Sequence, residues 1–207
     1  KTLEKDNTTL TKKLWIIPAL ILFIAGGYFA VSKVISLFHQ PVHGIILYSS
    51  DKKELEQSLK DNQSYIKNNI TVEGKYITET DTLVLDAASA EKLIQAKAVN
   101  TVSKKGDEFN FKHVTSLPKT PALWTADTQV NTIEDEKGQR FTAATTEYVV
   151  LGESSMTKKT LVLDKEAFKK FQAPAKYVSM IEEKRDAAHA LTEYKADKAQ
   201  IFNFKQK

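Results

Sequence analysis

Apolar residues are spread unevenly along this chain. From Leu14 to Ser32 (LWIIPALILFIAGGYFAVS) there is no charged residue, and nineteen residues in a helix span about 28 Å, close to the hydrocarbon thickness of a bilayer. Lys33 interrupts once, near enough to the end to snorkel, before Val34 to Phe38 resume the apolar pattern. Pro18 falls in the first turns, where a missing amide costs least. The pattern predicts a transmembrane helix over 14–38, a tail over 1–13 and a domain over 39–207.

Beyond the span the apolar runs shorten. GIILY (44–48) reads as a buried strand and KKELEQSLKDNQSYI as a helix, with Leu55, Leu59, Asn62 and Ile66 at helical spacing. ITVEGKYIT alternates around Glu73-Gly74 like a hairpin, and VNTVSKKGDEFNFKHV predicts a second one turning at Lys105-Gly106-Asp107. A short strand follows at Ala122 to Ala126, then a hairpin around Lys137-Gly138 and a strand from Glu147 to Leu151. YVSMIEE, RDAAHALTEYKAD and QIFNFK read as strand, helix and strand. The expected fold is α+β: one extracytoplasmic domain with helices packed on a largely antiparallel sheet, preceded by one N-terminal transmembrane helix.

TLVLD occurs twice, at 82–86 and 160–164, each time before an amphipathic stretch. Aspartate between a strand and a helix is a favoured N-cap, accepting from orphan amides at the positive end of the helix dipole. A phosphoaspartate-type hydrolase would place a second aspartate two residues on, where Ala88 and Glu166 stand. Asp86 and Asp164 therefore read as caps, as does Asp51, which has Glu54 at capping-box spacing.

Charge settles the orientation of the span. Lys12 and Lys13 abut its start, while Phe38 to Ser50 carries neither Lys nor Arg, so the N-terminus is expected in the cytoplasm. Five of the 30 basic residues and two of the 26 acidic ones precede His39, leaving 25 against 24 beyond it. No basic face for nucleic acid is implied. A cleaved signal peptide is the alternative to an anchor, but the run is long and no small-x-small site follows it. An acylated anchor would need a cysteine, and the chain has none. Absent cysteines, with two arginines against 28 lysines, suit a Gram-positive envelope domain better than a eukaryotic secreted one. The sequons at Asn62 and Asn69 are then fortuitous.

Candidate chemistry is sparse. His39 and His43 have the i, i+4 spacing of a metal pair, yet Pro41 lies between them and no third ligand is near. His113 alternates with Phe109 and Phe111 on a strand; His189 lies on a helix surface. Ser154 and Ser155 lack the second glycine of a nucleophile elbow, and no phosphate-binding glycine loop occurs. Glu134, Asp135 and Glu136 sit at a turn without EF-hand spacing. Neither catalytic nor metal residues are expected, nor any cofactor.

TLVLDKEAFKKF, followed by YVSMIEEKRDAAHALTEYKADKAQIFNF, resembles the extracytoplasmic domains of Gram-positive ABC exporter permeases over Thr160 to Phe204. The chain also resembles the small anchored, lipoprotein-type proteins found alongside such exporters in Firmicutes, although it lacks their acylated cysteine. No functional residue carries over from either. The resemblance implies a non-enzymatic accessory or sensory subunit whose partner is an integral membrane protein such as an ABC transporter permease. The alternative is a free-standing binding module for cell-wall material or an antimicrobial peptide. Gly26 and Ala30 form a small-xxx-small pair, the face on which a second membrane helix would pack.

Overall fold

The computed structural model describes residues 41–204. The expected span over 14–38, with Gly26 and Ala30, and His39 lie outside the described residues. Among those described, no helix is long and apolar enough to cross a membrane.

The elements run β1 (Gly44–Ser49), α1 (Lys52–Asp61), β2 (Ile66–Ile77), β3 (Thr82–Asp86), α2 (Ala87–Gln95), β4 (Val99–Lys105) and β5 (Glu108–His113). Then come β6 (Ala122–Thr125), β7 (Thr132–Glu134), β8 (Arg140–Thr142), β9 (Thr145–Glu147), β10 (Val149–Leu151), β11 (Lys159–Leu163) and α3 (Lys165–Lys170). β12 (Ala175–Glu183), α4 (Ala187–Ala190), a 3-10 turn (Leu191–Glu193) and β13 (Lys198–Phe202) complete the described chain. An eight-stranded sheet has the order β13-β1-β12-β2-β3-β11-β6-β9, beside a three-stranded sheet β10-β4-β5 and a β7–β8 hairpin. The fold is a sheet-rich α+β one. The large sheet is mixed, because β3–β11 and β6–β9 pair in parallel while its other pairs are antiparallel.

Both faces of the large sheet are covered, which explains the unbroken apolar run of β1, buried at all six positions. On one face Ile46, Leu83, Leu85, Val178 and Met180 pack against Ala90 and Leu93 of α2 and against Val99, Val149 and Leu151 of the small sheet. The other face has two patches. Ile45, Leu47 and Ile181 meet Leu55 of α1 and Ala187 and Ala190 of α4, while Val84, Leu161 and Leu163 meet Phe141 and Phe171.

The two TLVLD copies are neighbouring parallel strands offset by one residue: Leu83 pairs with Thr160, and Leu85 with Val162. Side chains alternate along a strand, so a one-residue offset turns equivalent positions to opposite faces. Leu83 and Leu85 accordingly face α2, whereas their counterparts Leu161 and Leu163 face the opposite side, where Ala167, Phe168 and Phe171 close the core. One sequence motif thus sends its helix to opposite sides of the sheet.

Four elements depart from expectation. The first helix stops at Asp61, and Ile66, expected on its apolar face, opens β2 instead. Glu73-Gly74 is no turn: β2 runs straight through it for twelve residues. Glycine is needed there for close approach, since a Cβ would lie 2.7 Å from the Val84 carbonyl and 2.9 Å from Leu85 Cδ2. The strand expected over Glu147 to Leu151 is two strands, β9 in the large sheet and β10 in the small one, separated at Tyr148. The last helix is only four residues plus a 3-10 turn. Beyond it, Lys195 N donates to Ser58 Oγ (2.8 Å) and Asp197 N to the Tyr48 carbonyl (2.9 Å), so these amides bond across the fold instead of within a helix.

Candidate functional site

The expected caps sit at strand–helix junctions. Asp51 Oδ1 accepts from the amides of Lys53 (2.8 Å) and Glu54 (3.0 Å). Asp86 accepts the Ser89 amide (3.0 Å) and hydroxyl (2.7 Å), and Asp164 the amides of Glu166 (3.0 Å) and Ala167 (2.9 Å). Each carboxylate is spent on helix starts.

The densest ionic group lies at one end of the large sheet and was not foreseen from sequence. Ser50 follows the end of β1, β2 brings Tyr76, the β2–β3 turn brings Asp81, Lys176 is the second residue of β12, and Asp197 immediately precedes Lys198, the first residue of β13. Lys176, only 8% exposed, pairs with Asp197 Oδ2 at 2.5 Å and donates to Ser50 Oγ at 3.0 Å. Lys198 Nζ lies 3.1 Å from Asp81 Oδ1 and 3.0 Å from the Met156 carbonyl, while the Tyr76 hydroxyl donates to Asp81. Both ammonium groups lie near the Tyr76 ring, 5.1 and 5.6 Å from its centroid.

The electrostatics reinforce ordinary charge states. Burial alone would raise the Asp81 pKa, but hydrogen bonds from Tyr76 and Lys198 outweigh it and hold the carboxyl below its usual range. At Asp197 burial is likewise outweighed, here by Lys176 and Ser50. Burial would lower Lys198, yet Asp81 and Tyr76 raise it. Tyr76 is pushed up by burial and then by Asp81. A general acid or base needs a pKa moved toward the working pH; these groups move away from it. The cluster fixes charge and ties four strands together.

A second ionic group lies where the described chain begins. The Val42 and His43 carbonyls accept from the amides of Ala187 and Glu183, both at 2.7 Å. His43 Nδ1 lies 3.1 Å from the Glu183 carbonyl and 2.9 Å from that of Arg185, so its N–H is engaged with backbone. Beneath it, the fully buried Glu183 side chain accepts from Arg185 Nη2 (2.8 Å) and the Tyr194 hydroxyl (3.0 Å). Arg185 Nη1 reaches both Glu193 oxygens, at 3.1 and 3.0 Å, and its guanidinium stacks 3.6 Å from the Tyr65 ring centroid. A planar fork makes such contacts and an ammonium cannot. This group was not foreseen from sequence; the scarcity of arginine, two against 28 lysines, is the signal that could have marked it.

The other candidate residues are scattered. The His113 ring lies between Asn100 Oδ1 (2.7 Å) and the Phe204 carbonyl (3.0 Å). His189 is exposed on α4. Ser154 donates to Gln200 Oε1 (2.8 Å). In the acidic run, Glu134 pairs with Arg140 (2.6 Å), and the buried Asp135 accepts from the amides of Lys137, Gln139 and Gln172. Among the described residues no group of three His, Cys, Asp or Glu could hold a metal ion. An open groove of about 580 Å³ runs along the β7–β8 hairpin, lined by Thr80, Thr132, Ile133, Glu134, Arg140, Thr142 and Lys159.

Comparison with known proteins adds an assignment without an activity. A crystal structure of a candidate lipoprotein from Bacillus anthracis superposes with a TM-score of 0.63 at 18% identity, covering 80% of this chain and 99% of that one. At that identity the likeness shows the fold alone. No curated protein matches the chain. The profile of an uncharacterised lipoprotein family matches residues 42–205, the whole domain from the locked Val42 onward, and the chain belongs to that family.

Proposed function

We propose that this chain is a non-enzymatic, membrane-anchored accessory or sensory subunit of an envelope complex, with an ABC exporter permease as its integral-membrane partner. The observation that carries this reading is the locking of Val42 and His43 onto the end of β12. These bonds hold the first described residues of the domain against the end of β12. Displacement at that end of β12 is therefore carried to Val42 and His43, as a sensory domain requires. Family membership supports a membrane-associated location, and the cluster around Tyr76 supports a binding or structural role over proton-transfer chemistry.

On this reading Gly26 and Ala30 are the face on which the partner's helix packs. Affinity purification of the full chain in mild detergent should bring down a permease, and Gly26→Leu with Ala30→Leu should lose it while staying in the membrane. Recovery of no integral membrane protein would end the proposal. The groove of Thr80, Thr132, Thr142, Glu134, Arg140 and Lys159 favours a second reading. Its hydroxyls and mixed charges suit a glycan, so pull-down on purified cell wall that is lost in Thr132→Val with Thr142→Val would support the binding-module alternative.

A further inference from the structure

The outer edge of β5 carries a pattern that is complementary to itself. β5 ends the order β10-β4-β5, so among the described residues no strand pairs with its outer side. The β4–β5 hairpin closes through a two-residue loop, Gly106-Asp107, with Gly106 at φ 65°, and Lys105 faces Glu108 as the closing pair. A loop of this length makes the closing pair a hydrogen-bonded one. Alternation then assigns Ser103–Asn110 and Thr101–Lys112 to the hydrogen-bonded pairs. Phe109 and Phe111 accordingly turn their amides and carbonyls away from β4, toward the open side.

The exposed stretch reads Glu108-Phe109-Asn110-Phe111-Lys112. Laid antiparallel against a second copy about a two-fold axis through Asn110, it places Glu108 opposite Lys112 of the other copy and Phe109 opposite Phe111. Asn110 then meets its own equivalent. The phase is right: the residues with outward-facing backbone, Phe109 and Phe111, become the hydrogen-bonded partners. The charges are right, since both ends of the contact become ion pairs; among the described residues neither Glu108 nor Lys112 has an ion-pair partner. Burial is right as well, because Phe109 is 53% exposed, more than Tyr65, the other exposed large hydrophobic residue among those described. Glu108, Asn110 and Lys112 are all exposed on the other face.

We infer that the chain self-associates as a two-fold dimer through β5–β5 edge pairing, forming a continuous six-stranded sheet from two copies of β10-β4-β5. The contact is isologous, each residue meeting its complement once in each direction. Five residues of edge make a small interface, so association depends on local concentration, which attachment to a membrane raises. The inference is independent of any exporter partner.

The chain contains no cysteine, so one introduced thiol reports the register directly. Non-hydrogen-bonded antiparallel pairs bring Cα atoms to about 4.5 Å, within disulfide reach. In membranes holding the full chain, Asn110→Cys should give a disulfide-linked dimer under mild oxidation. Glu108→Cys and Lys112→Cys should each fail alone and cross-link when the two variants are co-expressed. Adding Glu108→Lys or Lys112→Glu to Asn110→Cys should abolish the dimer, and adding both should restore it. Absence of cross-linking in a folded Asn110→Cys chain overturns the inference. So does equal cross-linking by Glu108→Cys alone, or a cross-linked species containing a different protein. If Asn110→Cys fails to fold, the mixed Glu108→Cys and Lys112→Cys pair decides, and its failure to cross-link is fatal.

Discussion

Arg185→Ala removes the cation beneath the first locked residues. Its partner Glu183 has no exposed side-chain surface, whereas Arg185 is 30% exposed. Breaking a buried ion pair by deleting one member costs about 3–5 kcal/mol, because the remaining charge is stranded. Partial exposure of the guanidinium lets water compensate, which places the expectation at the low end, about 3 kcal/mol. In a domain of this size that lowers Tm by about 6–12 °C. Arg185→Lys keeps the charge but cannot span Glu183, both Glu193 oxygens and the Tyr65 face at once, so about 1–2 kcal/mol is expected. Urea unfolding followed by circular dichroism measures both. A double-mutant cycle isolates the cause: in a Glu183→Gln background no carboxylate remains to be stranded, and Arg185→Ala should cost at least about 1 kcal/mol less. Equal costs in the two backgrounds, or a loss below about 1 kcal/mol in the parent, would refute the reasoning.

Asp86→Ala and Asp164→Ala should each destabilise by about 0.5–2 kcal/mol while Asn retains most of the cap; a functional loss in the Asn variants at unchanged stability would point to carboxylate chemistry instead. Asp81 and Asp197 are held below the ordinary carboxyl pKa, so their stabilisation is present above about pH 4 and drains as pH falls through the depressed values. Asp81→Asn with Asp197→Asn should therefore be less stable at pH 7 and show a flatter loss between pH 4 and pH 2, read from unfolding curves at each pH. Gly74→Ala would press a Cβ against the Val84 carbonyl and Leu85, and should cost about 1–3 kcal/mol as the strands part, measured by thermal melting.

Much of the fold was legible because hydrophobic alternation and turn chemistry are local. The β4–β5 hairpin turns at the glycine the pattern marks, and GIILY is buried on both faces as a continuous run should be. Where expectation failed, a distant neighbour decided. Gly74 looks like a turn residue until β3 is placed beside it. The site was harder still: Tyr76, Lys176 and Lys198 belong to three strands, and only the order β13-β1-β12-β2 brings them together. Arg185 went unread too: it is one of two arginines against 28 lysines, and only its contacts with Glu183, Glu193 and Tyr65 show why the fork geometry is required there.

The doubled TLVLD shows the limit most clearly. Identical strings invite identical environments, and local physics does treat the copies alike: each forms a strand, and each aspartate accepts from amides at the start of the helix that follows. What differs is a register that neither copy encodes alone. Two identical parallel strands paired without offset would send both helices to one face, leaving the other face of Val84 and its neighbours without that cover. The one-residue offset lets α2 and α3 take a face each. It also suits the residues that follow the aspartates: small Ala90 is fully buried in the cluster shared with the small sheet, while Phe168 and Phe171 pack in the cluster that holds Phe141 of the β7–β8 hairpin. Exchanging Ala90 and Phe168 would put bulk where space is least, which is why the divergence of the copies after the aspartate, and not their shared strand, carries the information about which face each covers.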